Sequence, residues 1–309
     1  MPSQRVLFTS DLHGRDELYS ELVLCAREVR PHVVLLGGDL FAGDPREQMQ
    51  FVRGPFDATL TELQQAGVDS VGVLPGNDDW NAAHELLRQS DHSDALRMIS
   101  DAPWELARGV NIVGYAYTPL TPFSVKDFEK LDHYRPDKRE VLEAQAIGVA
   151  SEGNEVADVS RSLDGSDSIE RDLLALDPYI RPGRSIFVSH CPPRSTRLDM
   201  AYGRHAGSQA VREFLERTRP ALSLHGHVPS IDLRGGVFAE RVGATLAVNP
   251  GQGASLHAVY FEAQNAVETL EHTILGRWTT LETPAAAGVG SETTERSLPR
   301  TSPGNDRGA

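Results

Sequence analysis

The sequence predicts an α/β fold built on a parallel sheet, and three observations carry that prediction. Apolar runs of strand length alternate with stretches of helical periodicity from the amino terminus onward. The first three runs, Val6–Ser10, His32–Leu36 and Val68–Leu74, each lead into a polar or glycine-containing tip and then a helix-like segment. Strand–helix–strand units of this kind close through right-handed crossovers, which sets the strands parallel and their carboxyl ends on one edge.

Val6 to Ser10 has strand character and runs straight into Asp11-Leu-His13-Gly14. Residues 15–29 read as a helix. Leu18, Leu22, Cys25, Ala26 and Val29 fall on one stripe, and Arg15, Asp16, Glu17, Glu21, Arg27 and Glu28 lie mostly around the other face. His32-Val-Val-Leu-Leu-Gly-Gly-Asp39 is the near-continuous apolar run of a buried parallel strand, and it ends in a carboxylate. Pro45 to Ala66 predicts a second helical region anchored by Phe56, Leu60 and Leu63. Val68–Leu74 is a third strand, with Pro75-Gly-Asn77-Asp78-Asp79 as its carboxyl-end loop. Residues 81–100 are helical by pattern, and Val110–Tyr115 is a further strand.

From Lys126 to about Asp177 the periodicity weakens. Glu140–Ala150 predicts a helix, while Ser151–Ser168 is polar, acidic and Gly/Ser/Asp-rich and reads as loop. This stretch, 126–177, is an inserted excursion, either a solvated spacer or a lid over the ligand-binding edge. Ser185–His190 resumes strand character and ends in a histidine. Ser208–Arg217 is a helix with Ser208 as N-cap and Val211, Phe214 and Leu215 inward. Ala221–His227 is another strand and tip, and Val237–Val248, Ser255–Phe261 and Ala266–Ile274 suggest antiparallel strands. Beyond Leu281 the chain has no apolar anchors. We therefore expect one domain over 1–280 and a disordered tail over 281–309.

The formal net charge of −14 and the lack of any Lys/Arg run disfavour nucleic acid as a partner. No apolar run reaches membrane-span length, Met-Pro-Ser-Gln lacks signal-peptide features, and Cys25 and Cys191 make no disulfide framework. A cytoplasmic protein acting on a small soluble substrate is the expectation.

Chemistry concentrates at the strand tips: Asp11/His13, Asp39, Asn77, His190 and His225/His227. In an extended strand end, residues two apart point to one side, so Asp11 and His13 are expected to share a target. Ligands bind beyond the carboxyl ends of such sheets. Mixed oxygen and nitrogen donors suit Mn²⁺, Fe, Zn²⁺ or Ni²⁺ better than Ca²⁺. A two-metal hydrolase needs a bridging carboxylate between ions about 3.5–4 Å apart, with other N/O donors around them. Asp39, in its glycine-flanked turn, is the natural bridge.

The order D-x-H, G-D, G-N-x-D, strand-ending His and G-H resembles the calcineurin-like metallophosphoesterase superfamily. Ser189-His-Cys-Pro-Pro193, Arg204-His-Ala-Gly-Ser208, Leu224-His-Gly-His227 and Val248-Asn-Pro-Gly251 are similar to its bacterial and archaeal branch of predicted phosphoesterases, related to cyclic-nucleotide phosphodiesterases. The resemblance runs from about Arg5 to about Phe261, excluding the excursion. It implies a four-layer α/β/β/α sandwich with two mixed sheets and a binuclear site at their edges. It also implies that Asp11 and His13 bind a first metal, that Asp39 bridges, and that Asn77, His190 and His227 bind a second. A metal-bridging hydroxide would then attack phosphorus in line.

This sequence departs from the family pattern in two places. The histidine of G-N-H-[D/E], which can assist a leaving group, is replaced by Asp78, whose charged form nearby cations favour. Relatives without that histidine tend to act on phosphodiesters, which points to a diesterase with Asp78 as a candidate catalytic residue. The second histidine of G-H-x-H is replaced by Pro229, which has no side-chain donor; His225, Asp232 or water would have to fill the gap, or else the first metal site is weakened or the protein holds a single metal. Asp79 reads as a supporting structural carboxylate or, by preference, a helix-start residue, the Asn249-Pro-Gly turn as structural, and Arg204 and His205 as either phosphate contacts or structural. A catalytically weak binding protein that keeps the fold is the competing function.

Overall fold

Alternation along one strand sets the layers. In the computed structural model, which describes residues 4–90, 95–229 and 236–279, Val6 and Phe8 of β1 (Arg5–Thr9) face Ile112, Val188 and Leu224. Leu7 points the opposite way, into a cluster with Leu18, Leu22 and Phe56. Each face of the strand is thus buried, at about 1.5–3 kcal/mol for each large apolar side chain removed from water.

The chain continues through α1 (Asp16–Val29), β2 (Val33–Leu36), α2 (Pro45–Phe51), α3 (Asp57–Gln65), β3 (Ser70–Val73), α4 (Asn81–Arg88) and β4 (Leu96–Met98). Strands β1 to β4 pair in parallel, in that order. Next come β5 (Trp104–Ala107), β6 (Val110–Tyr115), β7 (Thr118–Pro119), β8 (Glu129–Lys130), α5 (Lys138–Glu143), β9 (Ile147–Glu152), β10 (Glu155–Ser160) and α6 (Ile169–Leu176). The chain then forms β11 (Ile186–Ser189), β12 (Met200–Ala201), β13 (Arg204–His205), α7 (Gln209–Thr218) and β14 (Leu222–Leu224). The remaining strands are β15 (Ala239–Val242), β16 (Thr245–Val248), β17 (Val259–Glu262), β18 (Glu271–His272) and β19 (Gly276–Arg277).

Two large sheets result, ordered β19-β18-β17-β1-β2-β3-β4 and β15-β16-β14-β11-β6-β5. Their inner faces share one core, in which Phe8, Val188 and Leu224 meet. The outer face of the first sheet packs on α1, α3 and α4 through Leu22, Leu63 and Leu87. The outer face of the second packs on α6 and α7, with Phe187 and Phe214 rings 4.7 Å apart. This is the α/β/β/α sandwich with two mixed sheets. Residues 1–278 form one compact unit; the tail expected beyond 281 lies outside the described residues.

Local sequence sets the helix ends. Asp44 and Glu47 form a capping box at α2, with Pro45 at the first helical position. The helical region predicted over 45–66 is interrupted by a π turn at Val52–Phe56 holding Pro55, which lacks the N–H that a regular turn needs. Ser208 caps α7 by accepting from Val211 N at 3.0 Å.

Three local expectations are corrected. Residues 81–100 are helical only to Arg88; Leu96–Met98 is instead a strand that pairs in parallel with Val71–Val73 and extends the sheet. The helix expected over Glu140–Ala150 stops at Glu143, and Ser151–Ser168 contains not loop alone but the second strand of a hairpin, β9–β10, paired over six residues. The period-2 pattern of β10, with Ala157 and Val159 on its half-buried face, is hidden there among acidic residues. Gly148 matters for this arrangement, since a Cβ there would strike Ser124 O and the Lys126 stem.

The excursion is docked rather than free. Asp127 accepts from Asn81 N at the start of α4, and Asp132 accepts from Gln209 N at the start of α7. Lys126 is fully buried, 2.7 Å from Glu129 and 2.8 Å from Thr121 O, so both charges are compensated. The hairpin touches α2 through an Arg46–Glu155 ion pair. Within the excursion His133 stands 3.0 Å from Glu140, whose hydrogen bond raises the imidazole pKa to about 9. A folded pKa above the unfolded one means that this contact stabilises fully below about pH 6.5. It is lost as pH rises through about 9. Amide exchange in Asp132–Glu143 is therefore expected to accelerate between pH 8 and 10 beyond the intrinsic base effect, and His133→Gln should abolish that step.

Candidate metal centre

Strand β1 ends at Thr9, so Asp11 and His13 do not converge by extended alternation. Both lie in the left-handed region, with φ of 59° and 45°, as do Asp39 at 51° and His227 at 64°. Backbone hydrogen bonds hold them there: Asp11 N donates to Gly38 O and His13 N to Asp39 O, each at 2.9 Å. A left-handed non-glycine residue costs roughly 1–2 kcal/mol, and such strain clusters where surrounding contacts enforce it. The result is that donor atoms of Asp11, His13 and Asp39 all lie within 4.8 Å of one another.

The remaining predicted donors approach from the second sheet and from the β3 tip. His190 follows β11 and is fully buried; its Nδ1 is 2.8 Å from Gly37 O, which turns Nε2 toward Asp39. Nε2 stands 3.1 Å from Asp39 Oδ2, off the hydrogen-bonding direction. Asn77 donates through its amide to Asp78 Oδ1 at 2.8 Å, which turns its carbonyl oxygen toward His227 Nδ1, 2.7 Å away. His227 N donates to Asp11 Oδ1 at 3.1 Å, and the His190 and His227 rings are 5.4 Å apart. The donors thus gather as one triad and two pairs linked through Asp39 and Asp11.

Two glycines make this approach possible. A Cβ at Gly76 would collide with the Asp39 carboxylate, and one at Gly226 with Ser10 Oγ and Asp11 Oδ2. Two buried residues brace the loops. Asp79, fully buried, accepts from Leu40 N at 2.9 Å, Phe41 N at 3.0 Å and Gly76 N at 2.9 Å. It therefore ties the Asp39 loop to the Asn77 loop and does not serve as a helix-start residue; the position before α4 is Trp80. His84 lies 3.3 Å behind it. Nothing local marks such a carboxylate in sequence beyond its place three residues after a glycine. Asn249, structural as expected, donates to the carbonyls on either side of His227, Gly226 O at 3.0 Å and Val228 O at 3.1 Å.

The site fits divalent cations. Asp11 Oδ2 is buried and has no hydrogen-bond partner, an arrangement costly unless another group meets it. Burial lowers the His190 pKa, but the Asp39 and Asp11 charges outweigh it and raise it to about 10. Burial opposes ionisation of Asp39, yet His190 and His13 hold its carboxyl well below the usual range. Burial raises Asp11 and drops His227 to about 4. In the metal-free chain His190 thus carries a proton at neutral pH that a cation must displace. Metal affinity is expected to rise by up to about tenfold per pH unit between pH 6 and 9, with proton release on binding. Calorimetry in buffers of different ionisation enthalpy measures both.

Asp78 sits at the rim, its side chain 42% exposed and 3.9 Å from His13. Burial and the Asp39 charge raise its pKa to about 6. His225 does not compensate for Pro229: its two ring nitrogens are held by Ser189 O at 3.0 Å and Ser223 Oγ at 2.9 Å. Asp232 lies outside the described residues. His205 is anchored by the buried Asp199 at 2.8 Å, so at least one face of it is structural. A cleft of about 530 Å³ opens between the excursion and Arg194, but none of these site residues lines it.

Residues 4–230 match the calcineurin-like phosphoesterase family. The chain belongs to that family. Among solved structures, TT1561 of Thermus thermophilus superposes with a TM-score of 0.54 at 18% identity, covering 89% of this chain and all of that one (100%). A dimetal phosphatase from Danio rerio gives a TM-score of 0.50 at 13% identity, covering 84% of this chain and 93% of that one. At these identities the likeness is one of fold. No curated protein matches. A calcineurin-like phosphoesterase is a metal-binding hydrolase of phosphoric esters, and the acid and imidazole cluster at the sheet edges is where this chain offers the donors. Among the described residues no helix is long and apolar enough to cross a membrane.

Proposed function

We propose that this phosphoesterase hydrolyses phosphodiesters of small soluble substrates, in the cytoplasm, using two divalent ions such as Mn²⁺. Asp11, His13 and Asp39 would hold one ion; Asp39, Asn77, His190 and His227 would hold the other. The observation that carries the reading is the triad Asp11, His13 and Asp39, whose donor atoms all lie within 4.8 Å of one another, with the buried Asp11 Oδ2 left without a hydrogen bond among them. Bound ions would supply Lewis acidity for water activation and for charge developing on phosphate. The chain's own work is to orient donors: Gly37 O fixes the His190 ring, Asp78 turns the Asn77 amide, and Asp79 holds both loops. Asp78 is the group placed to assist a leaving group: burial and the Asp39 charge raise its pKa to about 6, toward the range in which a carboxyl can donate a proton near neutral pH. The diester reading rests on the replacement of the usual histidine at that position.

The test is hydrolysis of a generic aryl phosphodiester and its monoester by metal-stripped protein refilled with Mn²⁺. Metal-dependent turnover favouring the diester supports the proposal; preference for the monoester overturns the substrate class. Pro229, which leaves one position short of a donor, favours a second reading, a binding protein with the same fold. Metal uptake without turnover of either ester would support that reading.

A further inference from the structure

We propose that the two metal positions are unequal: the ion held by Asp39, Asn77, His190 and His227 fills first and tightly, and the ion held by Asp11, His13 and Asp39 is weakly held and exchangeable. This rests on the metalloesterase reading and adds a regulation to it, since hydrolysis would then follow the free divalent-ion concentration over the range of the weaker position.

Four observations point this way. The position with Asn77 has four side chains to draw on, the position with His13 only three. Among the described residues, the neighbours nearest the gap at Pro229 are already committed, and Asp78, whose Oδ1 is held by the Asn77 amide, reaches this position only from the rim. Pro229 has no side-chain donor, and its carbonyl accepts from Gln252 N at 3.0 Å. His225 is bound at both nitrogens. The Gln252 side-chain oxygen accepts from Gly253 N at 3.1 Å and His257 N at 3.0 Å, and its amide donates to Ser10 O at 3.0 Å.

The two positions also differ in how firmly their histidines are held. His190 is fully buried with its far nitrogen on Gly37 O, which fixes ring orientation before any ion arrives. The Asn77 amide is likewise fixed by Asp78. The His13 side chain is 37% exposed, and its nearest charged neighbour, Asp78, is 3.9 Å away, beyond hydrogen-bonding distance. A ligand that is not oriented in advance must be ordered by the ion itself, at a cost to affinity.

The test is titration of the metal-stripped full chain with Mn²⁺, reading free Mn²⁺ by electron paramagnetic resonance, without substrate. Two classes of one equivalent each are expected, with dissociation constants at least tenfold apart. His13→Ala should remove only the weaker class, and His227→Ala should remove the tighter. Pro229→His should tighten the weaker class at least tenfold. Two classes less than tenfold apart, or a His13→Ala variant that loses the tighter class, would overturn the inference. An unchanged weaker class in a folded Pro229→His variant would overturn the assignment of the gap to that position. No bound Mn²⁺ at all would instead sink the metalloesterase reading beneath it.

Discussion

Replacing Asp39 by asparagine is expected to lower metal-dependent ester hydrolysis by more than about 100-fold, because loss of a mere outer partner of a metal ligand already costs about 10–100-fold. In the proposed arrangement Asp39 is the one side chain common to both groups of donors. One carboxylate oxygen accepts from Asp78 N at 2.8 Å, and the other faces His190 Nε2 at 3.1 Å. Asparagine keeps the size and the left-handed backbone, which it tolerates better than most residues, but loses the charge. The same change removes the anion that holds the His190 proton, so His190 should titrate lower in the variant. Turnover of the aryl diester, with circular dichroism to show a retained fold, is the measurement. Activity within tenfold of the parent would mean that the reaction centre lies elsewhere.

Asp79→Ala is expected to destabilise the fold by about 3–5 kcal/mol, since it strands three buried N–H donors that each cost about 1–3 kcal/mol, with some relief by relaxation. In a chain of this size that corresponds to a fall in Tm of about 10 °C. Urea unfolding of the metal-free protein reads it directly. A loss under about 1 kcal/mol would show that water replaces the carboxylate and that the Asp39 and Asn77 loops are held by other means. Metal affinity should fall with stability, because Leu40 N and Gly76 N belong to the loops that present Asp39 and Asn77.

The parts of this architecture that are legible in sequence are those where burial and chemistry change abruptly. Val33–Leu36 and Ile186–Ser189 are apolar on both faces and end in Asp39 and His190, so strand, direction and tip are read together. The elements that sequence conceals lack such contrast. Leu96–Met98 is a three-residue edge strand whose partner Val71 is 25 positions earlier, and no local period reveals a pairing of that range. The hairpin β9–β10 buries no residue fully, and in β10 only Ala157 and Val159 are half-buried, so charged residues mask its alternation. At the site, residue types are readable but backbone is not. Asp11 and His13 meet through left-handed turns laced to Gly38 and Asp39, a tertiary effect that local propensity argues against. Asp79 and Asp78 are adjacent and chemically identical. Only the fold decides that one is a buried brace and the other a rim carboxylate.

The four left-handed donors, Asp11, His13, Asp39 and His227, have a consequence for how this protein can be improved. At each of them glycine would relax the backbone. At Asp39 and Asp11 that relief is offset by the partners a glycine would strand, Asp78 N and His190 at the one and His227 N at the other. The strain is thus kept in place by the same side chains that offer the donors. Stabilising substitutions are better sought on the outer faces of α1 and α7, away from the sheet edge, where no donor is at stake.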